Sequence, residues 1–105
     1  LGTDTAAEFG DAVAAHVALR CEGGAIRLVW PAAQPGQVAI RTSTSEVFRT
    51  ATAAPEGGAQ IVFPARDSLL DAMAFSRGRF VLQAGTADLV LPAWPEVARV
   101  IEDCR

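Results

Sequence analysis

"HVALRCEGGAIRLVW", residues 16–30, decides how the chain is read. Two short apolar, β-prone runs flank Gly23-Gly24. The favoured two-residue hairpin turns need positive φ at both central positions, so a glycine pair in this setting predicts a tight hairpin with strands near 16–22 and 25–30. Toward the N-terminus, the alanines of "TAAEFGDAVAA" would allow a helix. Gly10 and the β character of "HVALRC" instead favour a short strand followed by the longer one.

In the other direction, Pro31 and Pro35-Gly36 stop the second strand and open a loop. "QVAIRTSTSEVFRTATA" (37–53) reads as another hairpin. Val38 and Ile40 alternate in one arm, Phe48 lies in the other, and the small polar run Thr42 to Ser45 is the turn. "APEGGAQ" (54–60) reads as a flexible linker, after which "IVF" resumes the sheet.

The C-terminal half repeats a pattern. "IVFPARDSLLDAM" (61–73) and "LVLPAWPEVARVI" (89–101) both run strand, Pro-Ala, helix, at an offset of 28 residues. Each follows a strand of its own, Glu46 to Ala51 and Phe80 to Ala84, which suggests hairpin-plus-helix units at 46–76 and 79–104. Only Val, Pro and Ala match identically, so duplication and chance similarity stay equally open. Asp67 is a good N-cap and Gly78 a glycine able to end a helix, placing the first helix near 68–76. Pro95 suits the first position of a second helix near 95–104, and Glu96 meets the positive end of its dipole. Val97, Val100, Ile101 and Cys104 fall at i, i+3, i+4 and i+7, one stripe facing the core, while Arg99, Glu102 and Asp103 turn away. The expected architecture is a single α+β domain over 1–105, an antiparallel β-sheet or small two-layer β structure built from hairpins, with two short helices.

The 105 residues are half hydrophobic and one-fifth charged, which suits one core. All nine cations are arginine, in a chain with 21 Ala and neither Lys, Asn nor Tyr, so the choice of arginine does not by itself point to phosphate recognition. The net charge of −3 and the scatter of the arginines leave no basic stripe, which excludes nucleic acid as the main partner. Without Asn there is no N-glycosylation acceptor, and no apolar run approaches the roughly 20 residues that span a bilayer. The chain starts at Leu1 with no initiator Met, which reads as a signal peptide removed or as a structural module trimmed from a longer protein.

Cys21 and Cys104 are the only cysteines. A bridge between them would close most of the chain into one loop and contribute about 4–5 kcal/mol in the chain-entropy account. The alternative is two buried free thiols. A bridge would fit an oxidising compartment, the periplasm or the exterior. No CxxC or His-rich spacing supports a zinc site or a redox centre, and no cofactor is expected.

Other candidates for chemistry are sparse. His16, the only histidine, lies far in sequence from any serine with a nucleophile signature, so no triad is expected. Glu96, Glu102 and Asp103 read as a solvated helix face. "SRGRF" (76–80) is the best anion-binding candidate, because Arg77 and Arg79 flank a glycine and guanidinium forks suit carboxylate or phosphate. The same arginines equally suit a helix C-terminus. Trp30 and Trp94 precede prolines and read as core or core-edge, with Trp94 also a candidate partner contact. "EVFRTATA" (46–53) would offer a free sheet edge for strand addition, or stay soluble through its arginine and threonines.

The run "DSLLDAMAFSRGRFVLQAGTADLVLPAWPEVARVIEDCR" (67–105), with "ALRC" (18–21) upstream, resembles the C-terminal signature of a small family of uncharacterised exported bacterial proteins. The order helix, Gly, strand, turn, strand, helix is also similar to the invasion-associated locus B proteins, which are periplasmic or secreted. Where those proteins begin the last helix with a Leu-x-Gly-Phe type motif, this chain has Ala93-Trp94-Pro95-Glu96. The resemblance implies export, a Cys21–Cys104 bridge and a β-rich fold, and carries over no catalytic residue. The expected function is a non-enzymatic exported accessory or protein-binding domain that meets another protein or envelope component. The alternative is a small-ligand or anion-binding protein, or an enzyme, centred on Arg77 and Arg79.

Overall fold

The computed structural model describes residues 6–10, 15–85, 87–93 and 95–105. Among the described residues eight strands run β1 (Ala6–Gly10), β2 (Ala15–Glu22), β3 (Ala25–Trp30), β4 (Gly36–Arg41), β5 (Glu46–Ala53), β6 (Ala59–Pro64), β7 (Arg79–Ala84) and β8 (Ala87–Pro92). Helix α1 (Ser68–Ala74) follows β6, and α2 (Pro95–Cys104) follows β8. All strand pairs are antiparallel, in the order β1-β2-β3-β6-β5-β4-β7-β8. The sheet dominates the α+β architecture.

The predicted hairpins are present. Gly23 and Gly24 have φ of 58° and 77°, the pair of positive values that closes β2 onto β3 with Glu22 opposite Ala25. Between β4 and β5 the turn is closed by Thr42 N–H donating to the Ser45 carbonyl at 2.8 Å.

The sheet divides into two leaves, β1-β2-β3-β6 and β5-β4-β7-β8. Strand β5 pairs with β4 from Glu46 to Ala51 but with β6 only at Thr52 and Ala53. The expected free edge at 46–53 is closed only at Thr52 and Ala53; along Glu46 to Ala51 the β6 side of the strand has no strand partner among the described residues. Strand β5 lies inside the strand order, and the outer edges are β1 and β8. Where β5 and β6 part, the Arg49 guanidinium reaches the Asp67 carboxylate at 3.5 Å and ties β5 to the start of α1.

Period-two alternation sends one side of each strand to the core: Ile26, Leu28 and Trp30 from β3, Ile61 and Phe63 from β6, Val38 and Ile40 from β4, Phe80 and Leu82 from β7. Leu69, Leu70 and Met73 of α1 and the Val97, Val100, Ile101 stripe of α2 complete the same cluster. Burying each large side chain contributes about 1.5–3 kcal/mol. Helix α2 packs against β1, β2, β3 and α1.

Cys21 and Cys104 form a disulfide, with Cα atoms 5.4 Å apart and the two residues 83 positions apart in sequence. One residue later, Arg105 Nε donates to the Ala65 carbonyl at 2.7 Å and its Nη1 meets Asp71 at 2.9 Å. The chain end is thus fixed to β2 through sulfur and to α1 through a guanidinium.

Three local expectations change. Asp67 caps α1 as expected, accepting from Leu69 N–H at 2.9 Å, but the helix stops at Ala74 rather than near 76. Phe75 is its C-cap. Ser76 has left the helix and its hydroxyl donates to the Arg79 carbonyl. Gly78, with φ of 76°, therefore turns the chain into β7 and does not cap the helix. The stretch 54–60 is no loose linker but a closed turn, with Ala54 N–H donating to Gly58 O at 3.0 Å and Gly57 N–H to Ala54 O at 2.9 Å. Gly58 lies against the Trp30-Pro31 backbone, where a Cβ would overlap the Pro31 Cα and two carbonyl oxygens.

Candidate functional site

The strand order places β4 beside β7, with Arg41 opposite Val81 and Ile40 opposite Leu82. Two segments distant in sequence, the β4–β5 turn and the α1–β7 loop, therefore meet at one end of the second leaf. Their backbones are stitched together: Ser43 N–H donates to Ser76 Oγ at 3.0 Å, and Arg77 N–H donates to Ser43 Oγ at 3.2 Å. Ser76 is buried, and its hydroxyl links both loops to the first residue of β7. Across the next pair, Ala93 N–H donates to Gly78 O at 3.1 Å, holding the loop against the end of β8.

This frame carries an open groove of about 300 Å³ lined by Arg41, Thr42, Ser43, Arg77, Arg79 and Val81. Arg41 is paired across its own hairpin with Glu46. The guanidinium groups of Arg77 and Arg79 have no ion-pair or hydrogen-bond partner among the described residues, and both residues are exposed. Two sets of five N–H donors are thus held at a groove and left to solvent. The same outer face is partly apolar. Val81 pairs with Val90, which is 58% exposed, and Phe48, 54% exposed, lies opposite Ala39.

Of the residues singled out from sequence, Arg77 and Arg79 come together in this groove. Trp94 lies outside the described residues, as does the side chain of His16. Trp30 is core, 4% exposed. Glu96 and Glu102 lie on the solvent side of α2 with Arg99, along an open depression that Pro95 and Ala98 complete; Asp103 is exposed. Sequence reasoning missed Arg41, Thr42 and Ser43. The signal was present in "RTSTS" (41–45), a cation followed by hydroxyls, but it takes the β4–β7 pairing to set that stretch beside "SRGRF".

A second arginine shows what a satisfied guanidinium looks like in this chain. Arg27 on β3 donates to both oxygens of Glu22 at 2.9 and 3.0 Å, to both oxygens of Glu56 at 2.8 and 2.9 Å, and to Gln60 Oε1 at 3.1 Å. Hydrogen bonding from Arg27 holds the Glu56 carboxyl down at about 2 and keeps that of Glu22 below its usual value. The two carboxylates in turn raise the Arg27 guanidinium above its ordinary range.

Comparison with protein-family models, with curated proteins and with solved structures finds no match to this chain. Among the described residues no helix is long and apolar enough to cross a membrane.

Proposed function

We propose that this protein is a non-enzymatic binding domain of an oxidising compartment, periplasmic or secreted, that docks on another protein through the outer face of β5-β4-β7-β8. The observation that carries this reading is the pair of Arg77 and Arg79 guanidiniums, without a partner among the described residues, in the groove with Arg41 on the same outer face as exposed Phe48 and Val90. Arginine and aromatic residues are enriched where proteins meet, and apolar side chains rimmed by charge are the usual anatomy of such a surface. The Cys21–Cys104 pair supports such a compartment, because structural disulfides persist where thiols are not kept reduced.

The test places a photoreactive residue at position 81 in the exported protein and, as a control, at Val62 on the outer face of the other leaf. The expected result is a discrete adduct from position 81 that the double variant Arg77→Glu/Arg79→Glu abolishes, with none from position 62. Equal adducts from both positions, or an adduct indifferent to the charge reversal, would remove the reading.

A further inference from the structure

The groove also has a charge, a size and a donor arrangement, and together these narrow what it accepts. Arg41, Arg77 and Arg79 with the Glu46 partner of Arg41 leave two positive charges in excess. The chain as a whole carries −3, so this is a local positive spot on an acidic protein. A long polyanion would gain at the groove and be repelled by the remainder of the surface. A short acidic group would meet only the local field. The space of about 300 Å³ is at the small end for a ligand pocket and fits side-chain groups better than a large cofactor.

Guanidinium forks bind carboxylates in bidentate fashion, and two unpaired forks match two carboxylates. Ser43 Oγ already accepts from Arg77 N–H, so its own proton remains available to an incoming acceptor. Beyond the arginines, the row Arg41, Val81, Val90 runs across the outer face from β4 to β8, placing apolar surface next to the charged end.

We infer that the groove recognises an acidic peptide segment of the partner, two neighbouring carboxylates on Arg77 and Arg79 followed by an apolar side chain over Val81 and Val90. This inference rests on the reading of the protein as a docking domain and names its determinant. The two excess charges are neutralised by the two carboxylates, and the peptide supplies no covalent step.

The experiment is fluorescence polarisation of the full oxidised chain with three labelled pentapeptides: Gly-Glu-Glu-Val-Gly, its Gln-Gln counterpart, and one with a single phosphoserine replacing the acidic pair. The expected result is binding of the Glu-Glu peptide, weakened at least about tenfold by Arg77→Glu or by Arg79→Glu, as loss of a charge-assisted pair requires. The Gln-Gln peptide does not bind, and Arg99→Glu, the same charge change on α2, leaves binding intact. Circular dichroism of each variant shows that it is folded. Equal binding of the Gln-Gln peptide, equal weakening by Arg99→Glu, or tighter binding of the phosphoserine peptide would each overturn the carboxylate assignment. If no peptide binds but the position 81 adduct persists and still depends on Arg77 and Arg79, the determinant is wrong and the docking reading stands. If the adduct is missing as well, both fall.

Discussion

Arg27 and the Arg77–Arg79 pair are the same chemistry put to opposite uses. On the first leaf, the Arg27 guanidinium is enclosed by Glu22, Glu56 and Gln60, so its donors are consumed within the fold. On the second leaf, the guanidiniums of Arg77 and Arg79 face a groove whose backbone is tightly held by Ser43 and Ser76, yet find no partner among the described residues. The first arrangement ties the β2–β3 hairpin to the β5–β6 turn. The second leaves its positive charge facing solvent in the groove. Restraints elsewhere follow the same division: the disulfide and the close approach at Gly58 both fall on the first leaf.

If that division is right, the largest effect on folding comes from cutting the first leaf's covalent tie. Cys104→Ser should lower the unfolding free energy by about 4–5 kcal/mol, the chain-entropy contribution of so long a loop. That is comparable with the whole stability of a small domain. Urea titration of the oxidised protein against the variant measures it, and the intact mass before and after alkylation under denaturing conditions reports the bridge directly. An unchanged urea midpoint, with both thiols open to alkylation in the parent, would mean that the cysteines are only packed and would take away the main physical support for an exported role.

A smaller but still large loss is expected at Gly58. Its φ of 78° is costly for an L residue, and a Cβ would overlap the Pro31 backbone. Gly58→Ala should lose about 1–3 kcal/mol from the backbone conformation alone, with the overlap adding to it. Gly57, at φ 105° with nothing near its missing Cβ, is the control: Gly57→Ala should show the conformational loss without the overlap. Equal urea midpoints for the two variants would show that the β5–β6 turn yields freely, and the first leaf would then be less restrained than the contact suggests.

How much of this was legible in the sequence depends on the range of the interaction. The β2–β3 and β4–β5 hairpins, the Asp67 cap and the α2 stripe were readable because turn chemistry and side-chain period act within a few residues. The end of α1 was misplaced because Ser76, a residue able to continue the helix, is drawn away by partners 33 positions earlier, in Ser43, and three later, in Arg79. The turn at 54–60 looked loose because glycines signal freedom in sequence, whereas Gly58 is needed for a close backbone approach visible only once β3 lies beside β6. For the groove, Arg77 and Arg79 could be picked out, but Arg41 and Ser43 could not. Nothing local to "RTSTS" states that β4 will neighbour β7.

The pH dependence of stability offers a gentler probe of the enclosed arginine. Glu56 and Glu22 have depressed carboxyl values in the fold, so the folded state holds fewer protons than the unfolded chain through the acid range. Their contribution is complete above the ordinary carboxylate value of 4.5 and is lost as pH falls toward about 2. The melting temperature should therefore fall over that window, and Arg27→Gln should lower it at pH 7 and flatten the fall. Both glutamates are well exposed, so the effect should be smaller than at Gly58. A fall of the same steepness in Arg27→Gln would assign the acid sensitivity to other carboxylates.

Reversing the charge of the groove arginines should barely move the stability. The double variant Arg77→Glu/Arg79→Glu should change stability by no more than about 0.5 kcal/mol, as surface substitutions without fold contacts do. The hydrogen bonds that hold its loop use the Arg77 N–H, the Arg79 carbonyl and the Ser43 and Ser76 hydroxyls, none of which the substitutions remove. Thermal unfolding beside the parent measures it. Ser76→Ala supplies the counter-case, since it removes the buried hydroxyl that joins the loops and should destabilise while leaving every guanidinium in place. If the double variant instead melts well below the parent, the arginines serve the fold as Arg27 does, and the contrast between the leaves disappears. If it melts with the parent, their charge contributes little to folding, which is the condition a binding site must meet before its loss of binding can be read as loss of contact.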